Sequence, residues 1–274
     1  MGLEVATLLS KLGGWTIHIL DLHVDRGRAT ASSLANTTFH QSDVTSETGL
    51  ASIFRAIYNE HKRLGFVFTN AGVAEHANFF AATPVEQDPP LPVKGMHPII
   101  DINLKSVITT SYLALHYMRQ SSDREDKNLI ITGSCGAFYP SQYAPIYTAT
   151  KHAVLGFMRS IAPFYYKSAG IRVNAICPGT VKTNLLSSDE WSNFPDEYFT
   201  PVEKIATVVL MLVEGKDEGT QRVKGDNEGK GGVVLNGRAV EISGEKHYFR
   251  EMPPFCDDAM KAVMGATEIE ELKV

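Results

Sequence analysis

The chain has 274 residues, 43% of them hydrophobic and 21% charged, with a net charge of −5. That composition describes an ordinary globular protein and argues against a disordered, fibrous or disulfide-framework chain. A mildly acidic balance carries no footprint for nucleic acid or anionic membrane, and no apolar run reaches the ~18 residues of a spanning helix. No secretory signal is visible, and Ala6 stands where a myristoylation motif needs Ser or Thr. Cys135, Cys177 and Cys256 are odd in number and far apart. They read as reduced thiols of a cytoplasmic protein, and no metal site is expected.

Residues 3–12 place Leu3, Ala6, Leu9 and Leu12 on one helical stripe that Gly13-Gly14 should end. Residues 16–22 form a short apolar strand ending in Asp21, and after a polar stretch 38–44 reads as a second strand. An amphipathic helix follows with Ser46 as its N-cap, then a buried strand, 66–72, runs into a turn. Residues 74–96 are irregular, with a proline-rich insertion at 83–95. The pattern resumes with a long helix at 97–119, a strand at 128–134, a second long helix at 145–168 and a strand at 171–177. A helix at 203–213 precedes 214–232, whose glycines and charges predict a mobile surface loop. Residues 233–243 return to strand and the tail is mixed. Strands alternating with helices, and buried on both faces, predict one α/β domain, a doubly wound parallel sheet of Rossmann type.

The strongest chemical signal is Tyr147-x-x-x-Lys151 with Ser134 thirteen residues before the tyrosine. On a helix, Tyr147 and Lys151 share one face. A phenol is a poor base at neutral pH, and a nearby ammonium favours the phenolate. Tyr147 can then exchange a proton with an alcohol or carbonyl, while Ser134, at a strand end, donates to the same oxygen. Asn103 stands on the preceding helix, placed to hold a water that links Lys151 to solvent. Taken alone, a Tyr–Lys pair at this spacing is more often a helix-surface pair; the serine at a strand end, the apolar flanks of the helix and the motifs that follow weigh against that.

The segments TNAG (69–72), INL (102–104), IITGSCGAF (130–138), YTATKHAVLGFMRS (147–160) and RVNAICPGTVKTNLL (172–186) stand in order and at matching spacing. They resemble the short-chain dehydrogenase/reductase family. Through YTATKHAVLGF, NAICPGTVKT and the pattern at 235–255, the chain is most similar to the NAD-dependent 15-hydroxyprostaglandin dehydrogenases. The glutamine of that group three residues before its tyrosine is Ala144 here, so prostaglandin specificity is not implied.

The resemblance implies an oxidoreductase moving hydride between NAD(P)(H) and a secondary alcohol or ketone of an apolar small molecule. It makes Tyr147 the general acid/base, with Lys151, Ser134 and Asn103 completing the catalytic set. It places Gly2, Asp21, Asp43, Val44, Asn70, Ala71, Gly72, Pro178, Gly179, Val181 and Thr183 along the cofactor, with Tyr147 and Lys151. A carboxylate at Asp21 accepts from a ribose 2′-hydroxyl and repels a 2′-phosphate, which favours NAD over NADP. His23 and Arg26 stand close by, and Asp21 also reads as a solvated strand-end acid.

The aromatic stretch 184–200 is expected to be a substrate lid, its rings either facing an apolar substrate or packing the lid down. Cys135 reads as a small packed residue. A homodimer or homotetramer is implied through the two long helices, with Leu113, Leu115, Tyr117, Leu155 and Met158 as compatible outer positions. The family's opening strand and Gly-rich turn are not found, since Gly2 matches the last glycine of that turn. The expected sheet therefore lacks its first strand and most of the phosphate loop. This leaves two readings: a dehydrogenase whose start is truncated here, or a short form binding cofactor weakly or not at all. The short form would be a non-redox binding or scaffold protein, or a cofactor-free acid/base catalyst in specialised metabolite biosynthesis.

Overall fold

The structure, a computed structural model, describes residues 1–82, 86, 90–91, 95–121, 127–215 and 234–269. Its first elements are α1 (Gly2–Leu12), β1 (Ile17–Asp21), α2 (Val24–Ser33), β2 (Thr37–Gln41), α3 (Glu47–His61) and β3 (Phe66–Thr69). A short helix α4 (Pro98–Ile100) continues through a π-turn, Asp101–Lys105, into α5 (Ser106–Gln120). Then come β4 (Lys127–Thr132), α6 (Pro145–Ala169), β5 (Ile171–Pro178), α7 (Ser188–Trp191) and α8 (Val202–Glu214). The chain closes with β6 (Ala239–Ser243), β7 (Lys246–Phe249) and α9 (Asp258–Gly265). The loop expected at 214–232 lies almost wholly outside the described residues, as does part of the 83–95 insertion.

Strands β3, β4, β5 and β6 pair in parallel, and β7 closes the edge antiparallel. The sheet is covered on both faces. Leu129, Ile131, Val173 and Ala175 meet α5 and α6 on one side, through Ala114, Met118, Val154 and Met158. Ile130, Ile176, Val240 and Ile242 meet α1 and α8 on the other, through Val5, Leu9, Ile205 and Leu212. Every residue of β4 and β5 is buried, as expected of central parallel strands.

β1 and β2 pair in parallel as a separate two-stranded sheet, and among the described residues no strand joins β1 to β3. At this place a gap divides the two sheets. Trp15 reaches across it, edge-on to Phe66 with ring centroids 6.2 Å apart.

Three local features depart from the sequence reading. The polar stretch after β1 is the helix α2, whose apolar stripe is too thin to signal it. The one buried residue of α2 is Gly27, where any side chain would collide with the Phe39 ring. The long helix at 97–119 carries a π-turn, and the mixed tail contains both β7 and α9. Leu155 and Met158 are core residues, and Leu113, Leu115 and Tyr117 also pack against the core. The outward apolar side chains of α5 are Ile108 and Tyr112. Elsewhere the expected signals hold: Gly13 ends α1 at φ 72°, and the Ser46 side chain accepts from the Gly49 N–H at the start of α3.

Candidate active site

The carboxyl ends of the parallel strands line one edge of the fold, where loops must carry the chain over to the next helix. Ser134 follows β4 in extended conformation, and its Oγ accepts the Gly136 N–H (3.1 Å). That bond caps a short 3₁₀ turn, Cys135–Ala137. A methyl group at Gly136 would stand 3.5 Å from both Ser134 Oγ and Tyr147 Cε1, so the two side chains flank one small space.

Tyr147 lies in the first turn of α6, which opens with Pro145. Lys151, one turn on, is buried and donates from Nζ to the Thr132 carbonyl (3.0 Å). Its Nζ sits over the Tyr147 ring, 5.5 Å from the centroid. Gly72 completes the circle: a methyl there would lie 3.3 Å from Asn103 Oδ1 and 3.8 Å from Lys151 Nζ. Asn103 occupies the π-turn, a helix defect that recurs at functional sites. Its side-chain amide clasps Val73, accepting the N–H and donating to the carbonyl, both at 2.9 Å. Asn103, Ser134, Tyr147 and Lys151 are thus one cluster built from three segments: the π-turn, the turn after β4 and the start of α6.

Burial sets the electrostatics of the cluster. Desolvation pulls the Lys151 ammonium down to about 8, with the neighbouring Cys177 opposing the fall. Burial raises the Tyr147 phenol above its ordinary value, and the Ser134 hydroxyl works against that rise. The sequence predicts a lowered phenol; here burial prevails and the phenol is raised. Burial likewise pushes the Cys177 thiol up to about 12 and raises that of Cys135, so neither is poised as a nucleophile.

The expected cofactor residues follow the same edge. Asp21 ends β1 and its Oδ1 accepts the His23 N–H (2.8 Å). The Asp43 carboxylate, held below its usual range, accepts from the Thr45 N–H (2.9 Å) and Oγ1 (2.7 Å), with Val44 beside it. Asn70, Ala71 and Gly72 leave β3, and a methyl group at Gly2, at the start of α1, would stand 2.9 Å from Asn70 Nδ2. Pro178 ends β5, and the Gly179 N–H donates to the Ile242 carbonyl (2.8 Å). Val181 turns into the core with α8, and the Thr183 carbonyl accepts the Trp191 indole N–H (2.9 Å). Trp191 packs on Phe194 and Phe199, so it holds this segment down, whereas Tyr198 is exposed.

A polar ligand extended along this edge would meet open hydrogen-bonding groups. Ser42 Oγ and Asn70 Oδ1 are buried without a partner among the described residues, at the ends of β2 and β3. The N-terminus of α1 has no side-chain cap, leaving amide donors for an anionic group. Unpartnered buried polar atoms and free helix amides together suit an extended polar ligand with an anionic part, as a dinucleotide is.

Glu75 is a residue the sequence does not single out. It lies in the irregular segment after β3, and its Oε2 accepts the Tyr147 backbone N–H (2.7 Å). Only the tertiary fold brings it to α6, 72 residues away.

The sequence profile of the family described as short chain dehydrogenase matches residues 1–192. The chain belongs to this family. It is 47% identical over 275 residues to short-chain dehydrogenase/reductase prx7 of Penicillium rubens, covering 98% of this chain and 97% of that one. It is 30% identical over 205 residues to 15-hydroxyprostaglandin dehydrogenase [NAD(+)] of Rattus norvegicus, covering 72% of this chain and 71% of the relative. Among solved structures, ElxO with NADP bound superposes with a TM-score of 0.68 at 21% identity, over 88% of this chain and 92% of that one. That likeness shows the α/β Rossmann-like fold. Members of the short-chain dehydrogenase/reductase family are oxidoreductases acting on small molecules. Among the described residues, no helix is long and apolar enough to cross a membrane, and no group of three or more His, Cys, Asp or Glu could hold a metal ion.

Proposed function

We propose that the protein transfers hydride between a nicotinamide cofactor and a secondary alcohol or ketone of an apolar small molecule. The supporting observation is the Asn103–Ser134–Tyr147–Lys151 cluster, assembled at the carboxyl edge of the sheet. When bound, the cofactor supplies or receives the hydride. Asp21, Asn70, Gly72, Lys151 and Gly179 are the residues that would hold it, and Asp21 makes NAD the preferred form.

The protein's own part is the proton. Ser134 Oγ donates to the substrate oxygen and fixes its position, and the Tyr147 hydroxyl exchanges a proton with that oxygen. A phenol raised by burial is protonated at neutral pH, which suits carbonyl reduction. Lys151 sustains the positive field beside the phenol, and the π-turn at Asn103 is the point from which the proton is replaced from solvent. Tyr147→Phe is the test: it should abolish ketone reduction by the folded protein, and unchanged turnover would refute the assignment.

A second reading, binding without redox chemistry, draws on the separation of β1–β2 from the five-stranded sheet, which divides the cofactor edge in two. Calorimetric titration of NADH distinguishes the two readings. Submicromolar binding refutes the second, and no binding at millimolar NADH refutes the first.

A further inference from the structure

Away from the candidate active site, three imidazoles meet between β1, β2 and α3. His18 Nδ1 lies 2.9 Å from His40 Nε2, and His18 Nε2 lies 3.0 Å from His61 Nε2. The His18 ring packs on both neighbours, with centroids 5.2 Å and 5.0 Å away. His18 pairs with Thr38 and Leu20 with His40, so His18 and His40 stand diagonally on one face of the two strands. His61 is the last residue of α3. The two ring nitrogens of His18 address different partners, so the trio does not converge on one point as metal ligands do.

The sharing of protons decides what this cluster does. In the neutral state each ring carries one N–H, and one direction of donation satisfies both contacts. A first extra proton is also accommodated, with His18 donating on both sides. A second places hydrogens on both nitrogens of one contact and adds like charge, so that contact opens. The titratable and charged groups that face His18 are His40 from β2, and His61 and Glu60 from α3. On the opposite face α1 packs against Ile17 and Ile19, and Gly27 of α2 meets Phe39. The Glu60 carboxylate, 3.7 Å from His61 Nε2, is exposed and offsets little of the charge. Burial is the largest influence on His18 and on His40, and it holds both below the ordinary 6.5. The closed arrangement therefore binds fewer protons than an open one below pH 6.5, and its stability falls as pH drops through that range.

The layer these rings hold lacks a strand ladder to the main sheet among the described residues. α3, in contrast, is fixed to α5: Phe54 and Tyr58 pack on Tyr117, and the Tyr58 hydroxyl donates to the Gln120 carbonyl (2.7 Å). We propose that His18, His40 and His61 form an acid-operated latch, which holds the β1–β2 layer on α3 at neutral pH and releases it in acid. β1 ends at Asp21, β2 runs into Ser42 and Asp43, and the Ser42 N–H donates to the Asp21 carbonyl (3.0 Å). On the oxidoreductase reading, on which this consequence rests, release displaces one end of the cofactor edge and weakens dinucleotide binding in acid.

The experiment measures amide hydrogen exchange of β1 and β2 in the full chain at pH 7.5 and pH 5.0, corrected for the intrinsic pH dependence of exchange. Calorimetric binding of NAD+, which survives acid where NADH does not, is measured beside it. In the wild type, protection of these strands should fall about fivefold at pH 5.0 relative to β4 and β5, the size of one lost hydrogen bond, and NAD+ affinity should fall by a similar factor. His18→Gln keeps one donor and one acceptor but does not titrate. It should hold protection and affinity nearly constant across the same range. Unchanged protection in the wild type, or a loss that His18→Gln shares, overturns the proposal. If His18→Gln fails to fold, imidazole NMR of the wild type decides: protection must be lost as His18 and His40 take up protons, and a loss while both rings stay neutral overturns the latch. Release in acid without NAD+ binding at either pH supports the latch and overturns the oxidoreductase reading.

Discussion

Replacing Lys151 by Met should make the protein more stable and inactive at the same time. The ammonium is fully buried, and burial lowers it to about 8 from an ordinary 10.5. That gap of about 2.5 pH units corresponds to roughly 3 kcal/mol, the cost of keeping the charge inside the fold at neutral pH. Met fills a similar volume without a charge. The variant loses the Nζ bond to the Thr132 carbonyl, worth about 1 kcal/mol. The net gain at pH 7 is therefore about 2 kcal/mol, or roughly 4–8 °C in melting temperature for a chain of this size. The sign of the pH dependence is also determined. Between pH 8 and 10.5 the unfolded chain holds the lysine proton and the folded one has released it. Wild-type stability from this group therefore rises with pH across that window, and the advantage of Lys151→Met shrinks. Thermal unfolding of both proteins at pH 7 and pH 10 tests this directly. A variant less stable at pH 7, or an advantage that does not fall with pH, would refute the argument that a desolvated cation is maintained here for chemistry rather than stability.

Three further outcomes are expected. Because burial raises the Tyr147 phenol above its ordinary value of 10.0, alcohol oxidation should still be accelerating at that pH, while ketone reduction stays flat until the phenol titrates; pH–rate profiles in both directions check this. Gly27→Ala should destabilise by about 1–3 kcal/mol through overpacking against Phe39, measured by urea unfolding. Of the three thiols only Cys256 is exposed, so a chromogenic disulfide reagent at pH 8 should label one thiol per native chain, and Cys256→Ser should remove that signal.

Much of the fold was legible in local pattern. The stripe Leu3–Leu12 with Gly13, the cap at Ser46 and the apolar runs of β4 and β5 are short-range signals, because periodicity and capping act within a few residues. α2 escaped notice because its contact with the sheet is made by a glycine, which contributes nothing to an apolar count. The candidate site was equally legible as residue types, since Tyr147 and Lys151 share a helix face by spacing alone.

Other properties depend on neighbours far along the chain. The direction of the Tyr147 shift is decided by burial, which spacing cannot show. Val181, Leu155 and Met158 have the same composition whether they face a ligand, a partner or the core; the packing of α5, α6 and α8 places them inside. Glu75 carries no local mark at all, and its carboxylate acquires meaning only when the loop after β3 meets the start of α6. The sequence alone determined the α/β class and the chemistry its residue types permit, because both are written in nearest-neighbour terms. Tertiary structure decided which charges are desolvated and which side chains meet across the fold, because both depend on what else occupies the same volume.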